Sequence, residues 1–137
     1  MKKRLLILII AVFVLSSAQS LLAANEIKQL PKILLDTDEI YVGMSAQEIL
    51  DIWAKPILIG YERQGKEAFK PILVKNPYRM EVLKNHGLDY EVMYFLVSIE
   101  KSDGIVSEEE LVPLIFKQKK LIAKGRDFLI RLKKELM

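Results

Sequence analysis

Gly43-Met44-Ser45-Ala46-Gln47-Glu48-Ile49-Leu50-Asp51-Ile52-Trp53-Ala54-Lys55-Pro56 starts with helix-capping residues and ends on a helix breaker. Ser45 followed by Glu48 makes a capping box, in which each side chain satisfies the other residue's backbone N–H. Met44 and Ile49 stand where a hydrophobic staple forms across the cap. Ile49, Leu50, Ile52 and Trp53 supply an apolar face, and Pro56 stops the helix. The spacing predicts a helix of about three turns, with Trp53 packed on the strand that carries Tyr94 or Phe95. So short a helix must bury its face against another element.

The chain on the carboxyl side supplies strands. Ile57-Leu58-Ile59 reads as a short one, followed by a polar excursion through Gly65 and Lys66. Tyr78–Val82 alternates apolar and polar, Lys84-Asn85-His86-Gly87 offers turn residues, and Tyr90–Ile99 is rich in aromatic and branched side chains. That sequence predicts a hairpin. Leu111–Phe116 makes a third strand, with Pro113 suggesting an edge position or irregular start, and Leu121–Lys124 a fourth. From Arg126 to Met137 the period becomes helical, with Phe128, Leu129, Leu132 and Leu136 inside an arc of roughly 100°. Towards the amino terminus, residues 25–42 read as a lead-in with one helical turn after Pro31. The expected fold class is α+β. One or two helices pack on an antiparallel sheet of about three to four strands, plus a carboxyl-terminal amphipathic helix, in a single domain over residues 43–137.

The first residues carry a different message. Met1-Lys2-Lys3-Arg4 is cationic, Leu5–Leu15 is an unbroken apolar run of eleven residues, and Ser16–Ser20 turns small and polar. Charge, short apolar core and small residues in that order make a secretory signal over residues 1–24. Cleavage fits after Ser20 or after Ala24, and the change of composition at Asn25-Glu26 favours Ala24. The alternative is an uncleaved amino-terminal anchor facing the periplasm, since residues 5–25 carry no charge and about 20 such residues span a bilayer.

Charge and composition narrow the function. The 137 residues hold 21 Lys+Arg and 18 Asp+Glu, but Lys2, Lys3 and Arg4 account for the whole excess. A neutral domain has no general attraction for phosphate backbones, so no nucleic-acid partner is expected. The chain has no cysteine, hence no disulfide, thiolate nucleophile or lipidated cysteine. His86 is the only histidine and sits in a turn, which leaves neither a catalytic set nor a zinc site to be expected. Ser102–Glu110 imitates the second half of a calcium loop, but Ile99 and Lys101 would occupy two ligand positions. A turn at Asp103-Gly104 and a capped acidic turn at Ser107–Glu110 explain the same residues, and no calcium site is expected. Asp36, Asp38 and Glu39 read as a solvated loop. No cofactor is expected. Residues 117–137 carry eight basic and two acidic side chains. Lys124, Arg126, Arg131, Lys133 and Lys134 are the candidates for contact with an anionic surface.

Several of these residues carry a family resemblance. Val42–Pro56, then Asn76-Pro77-Tyr78-Arg79 through Tyr90-Glu91-Val92, then Leu111–Phe116 to Lys120-Leu121-Ile122 resemble the SmpA/OmlA (BamE-like) cell-envelope domain, in a branch without assigned function. The resemblance covers about residues 43–128 and rests on Gly43, Met44, Ser45, Trp53, Pro56 and Phe116. It implies helices packed on a small antiparallel sheet, and its best-known members are lipoproteins that help a complex inserting outer-membrane barrels. This chain has Ala54-Lys55 in place of the helix-ending glycine, Gln118-Lys119 in place of a glycine hairpin turn, and no lipid-bearing cysteine. The combined expectation is a non-enzymatic exported protein, periplasmic, acting through envelope proteins or weak anionic-membrane contact, with a possible accessory part in outer-membrane assembly. The alternative is a periplasmic module that binds a small molecule or cation.

Overall fold

β5 (Leu88–Leu96) and β7 (Leu111–Lys117) are the centre of the molecule, because both of their faces are covered. The computed structural model describes residues 32–137, so the signal and its cleavage at Ala24–Asn25 lie outside the described residues. With β4 (Arg79–Asn85) and β8 (Lys120–Lys124), these strands form a four-stranded antiparallel sheet in the order β4-β5-β7-β8. Alternation then decides which side chain goes where. Val92, Tyr94, Leu96 and Ile115 point to one face, Met93, Phe95, Leu114 and Phe116 to the other. Five consecutive buried residues, Val92–Leu96, are the result.

α1 (Ala46–Trp53) covers the second face, with Met44, Ile49 and Trp53 against Met93, Phe95, Leu114 and Phe116. The capping box forms as expected, Ser45 N–H donating to Glu48 Oε2 at 2.7 Å and Glu48 N–H to Ser45 Oγ at 3.2 Å. The helix is shorter than the expected three turns. It stops at Trp53, where the Ala54 N–H still donates to the Leu50 carbonyl at 2.8 Å and Pro56 prevents continuation. Trp53 meets Phe95 edge-on with ring centroids 5.4 Å apart, while Tyr94 faces away. The Trp53 Nε1–H is buried with no acceptor among the described residues. The ring is therefore held by its shape and apolar area, against the cost of an unmade hydrogen bond.

α2 (Arg126–Leu136) lies on the first face against β4 and β7, burying Leu129 and Leu132 with Phe128 and Leu136 at the margin. Beside it pack β2 (Ile57–Gln64) and β3 (Ala68–Val74), a separate antiparallel hairpin. This hairpin corrects the expectation of a short strand and a polar excursion. A bulge at Ile59 shifts its register, so the core face carries Ile57, Ile72 and Val74, with Ile59 buried at the bulge itself. A side-chain carbon at Gly60 would come within 3.0 Å of the Gly104 nitrogen, which is how the following loop reaches the bulge so closely.

Two further expectations gain detail. Pro113 is in an interior strand, but beyond the end of β8, where β7 is locally an edge. β8 ends at Lys124 opposite Leu114, so the ladder stops one residue short of the proline whose N–H is missing. The helical turn expected after Pro31 is the 3-10 turn at Thr37–Glu39, and it is preceded by an unexpected strand, β1 (Lys32–Ile33), paired with β6 (Ser98–Ile99). Residues 32–42 are built into the fold, since Ile40 is fully buried. Gly43 and Ala46 extend the pairing along the outer edge of β8, Gly43 N–H donating to Leu121 O at 2.8 Å and Ala46 N–H to Lys119 O at 2.9 Å. The β7–β8 turn needs two left-handed residues, and Gln118 and Lys119 adopt them at φ 49° and 63° without glycine.

Candidate functional site

The five basic residues expected to meet an anionic surface do not form one free set. Lys124 Nζ donates to the carbonyls of Thr37 and Ile40 at 2.7 and 3.0 Å, so it ties the amino-terminal segment to β8. Arg126 bonds the Leu111 carbonyl at 3.4 Å and lies 3.7 Å from Glu108. Lys133 pairs with Glu81 at 2.8 Å. Arg131 leans over the Phe128 ring, and both Arg131 and Lys134 are exposed on the outer side of α2. These two alone keep their charge for an outside partner.

Lys133 belongs to a polar clamp that sequence reading missed. The Tyr94 hydroxyl donates to the Glu81 carboxylate, Arg79 stacks over the Tyr94 ring at 4.0 Å, and both guanidinium ends of Arg79 engage Glu108. Strand, turn and helix are joined by one cluster. Burial works against the Glu81 carboxylate, but Lys133 and the Tyr94 hydroxyl outweigh it and hold its pKa below the usual range. Arg79 holds Glu108 low as well, and Glu81 raises Lys133. Burial and then Glu81 push the Tyr94 phenol upward. Lys133 on Glu81, itself held by Tyr94, attaches α2 to β4 and β5. The signal of this cluster was present in the alternation of β4, which puts Arg79 and Glu81 on one face.

The other sequence candidates are dispersed. His86 is exposed in the β4–β5 turn with φ 43°. Asp36 caps the 3-10 turn, its Oδ1 accepting from the Asp38 N–H at 2.9 Å. Asp103 accepts from the Ile105 N–H at 3.0 Å, and Glu110, 3% exposed, accepts from Glu100 and Ser107 N–H groups at 2.7 and 2.8 Å. Ile99 sits in the core, 7% exposed, where a calcium loop would need its first ligand. The Glu110 carboxylate is thus spent on closing its own loop.

The outer face of the β2–β3 hairpin is built differently. Cross-strand partners share a face, and the pairs Leu58–Leu73, Tyr61–Pro71 and Arg63–Phe69 all fall on the side away from the core. Tyr61 is 62% exposed, Phe69 66% and Leu73 59%. Five apolar side chains therefore stand in one continuous row, on a ribbon whose residues 61–70 are all exposed. Scattered apolar residues are ordinary on a surface, but a contiguous row on one sheet face marks a contact site. Residues 55–75 carry Lys55, Arg63, Lys66, Lys70 and Lys75 against Glu62 and Glu67. This is the candidate functional surface. Sequence reading missed it because β3 was not recognised as a strand. The alternation Phe69, Pro71, Leu73 against Ile72 and Val74 was the available signal.

No family model, curated protein or solved structure matches this chain.

Proposed function

We propose that this chain is an exported cell-envelope protein, periplasmic, which acts by protein or membrane-surface contact and not by catalysis. The observation that carries the reading is the row Leu58, Tyr61, Phe69, Pro71 and Leu73, five apolar side chains left uncovered side by side on one face of the β2–β3 ribbon. The amino-terminal signal pattern supports export, and the cations about the hairpin support an anionic contact. No helix among the described residues is long and apolar enough to cross a membrane. The motif resemblance of residues 43–128 extends the proposal to an accessory part in outer-membrane assembly. The test is made in the producing cell. Amino-terminal analysis should find a chain starting at Asn25 in the periplasmic fraction. A photocrosslinker at Phe69 should mark envelope protein or lipid, while one at Lys134 or His86 marks less. A cytoplasmic chain that keeps Met1 sinks the export reading, and equal crosslinking at all three positions sinks the contact reading.

A further inference from the structure

We infer that the outer face of the β2–β3 hairpin docks on an anionic lipid surface, with Tyr61 and Phe69 entering the headgroup boundary. The inference deepens the contact reading above and rests on it. Three features select lipid. The row exposes two aromatic rings, Tyr61 and Phe69, and aromatic rings sit at the boundary between headgroup and acyl chain. Arg63 shares that face opposite Phe69, Lys66 is in the turn at the tip, and Lys55 and Lys75 flank the base, so cations edge the row. Positive charge adjoining exposed aromatic side chains is the combination that draws a peripheral surface onto acidic headgroups. The same charge disfavours a second copy as occupant. Residues 55–75 hold five basic and two acidic side chains, and face-to-face pairing would bring like charges together.

The geometry also explains why the hairpin can yield this surface without loss to the fold. Its base is held by Ile57, Ile72 and Val74 in the core, and by the close approach of Gly60 to Gly104. Its distal half is exposed on both faces, so docking needs no rearrangement of the sheet. Arg63 is already steadied by donating to the Lys66 carbonyl at 3.0 Å, which ties the tip turn closed.

The absence of cysteine makes the test specific, since Pro71→Cys gives a single thiol on the outer face and Glu135→Cys one on α2. Each protein, purified from its producing cells, is labelled with an environment-sensitive fluorophore and mixed with phosphatidylglycerol or phosphatidylcholine vesicles. The label at position 71 should shift to the blue on anionic vesicles, and the label at 135 should stay in water. Apparent binding should fall about tenfold on neutral vesicles or when salt rises from about 0.1 to 0.5 M. Tyr61→Glu with Phe69→Glu should abolish the shift, and both positions are exposed enough to leave folding intact. No shift at 71 on anionic vesicles overturns the inference. So does a shift that survives the double substitution, or an equal shift at 135. A label already dry without lipid, in a chain of dimer mass, would assign the face to a second copy instead. Export does not enter this assay, so a cytoplasmic chain would fail the localisation test and leave the vesicle result to stand or fall separately.

Discussion

β5 with β7 and β2 with β3 are both antiparallel pairs that carry apolar side chains on both faces, yet their fates are opposite. β5 and β7 are enclosed between α1 on one side and α2 with the hairpin base on the other, and their apolar side chains hold the fold together. The hairpin has one face of its base in the core and its outer face in solvent, so no element covers its outer side chains. The lesson is that apolar content alone does not assign a residue to stability. What matters is whether a covering element exists, and where none does the energy of burial is still available for a partner.

Two phenylalanines test the contrast directly. Phe95→Ala, at a fully buried position against Trp53, should cost about 3–5 kcal/mol, read as a shift in denaturant midpoint. A loss below about 1 kcal/mol would mean the α1 layer is loosely held. Next comes the clamp that fastens α2. Tyr94→Phe removes a hydrogen bond to a carboxylate and should cost about 1–2 kcal/mol. The same cluster sets the pH response. Glu81 and Glu108 have depressed folded pKa values, so their contribution is complete above the ordinary carboxylate range and disappears as pH falls through the folded values. Lys133 and Tyr94 are raised, so theirs is complete below their ordinary alkaline values and disappears as pH rises through the folded ones. Denaturation midpoints should be level between about pH 6 and 9 and decline on both sides. In Tyr94→Phe the alkaline decline should be smaller.

A smaller effect belongs to the helix cap. Ser45→Ala leaves the Glu48 N–H without its partner and should cost about 1 kcal/mol by the same measurement. The smallest stability change belongs to the hairpin. Phe69→Ser should stay within about 0.5 kcal/mol of the parent, because no covering contact is lost. A cost of several kcal/mol there would erase the contrast and make the outer face structural.

Legibility followed the same division. α1, α2, the β4–β5 hairpin and β7–β8 were readable because each has a local device: a capping box, a narrow apolar arc, turn residues or a doubly apolar run. Trp53 on the strand of Tyr94 and Phe95 was readable for the same reason, though not which of the two rings it meets. β3 was not, since Lys70 and Pro71 interrupt a strand whose outer face is apolar, and the usual polar-outside alternation is inverted there. Pro113 pointed to an edge, but its tolerance depends on where β8 stops, a fact of register that local sequence does not carry. The clamp of Arg79, Glu81, Tyr94, Glu108 and Lys133 joins residues far apart in the chain, and Lys124 bonds carbonyls 84 and 87 positions away. Those partners are set by tertiary folding. The five basic residues could be counted in the sequence, but which of them the fold itself would consume could not.

The backbone pairing of Gly43 and Ala46 along β8 has a consequence for assembly. The four-stranded sheet has two margins, and this short segment covers the start of one of them, at Lys119–Leu121, with the chain's own amides. β4, carrying Arg79, Glu81 and Lys84, is the other margin, and no strand pairs with it among the described residues. Filament growth by edge-to-edge addition requires two open margins on every subunit, whereas one permits nothing longer than a pair. Addition along the whole of β8 would first have to strip residues 43–46 from it. The capped helix start therefore covers part of a sheet margin as well as beginning α1.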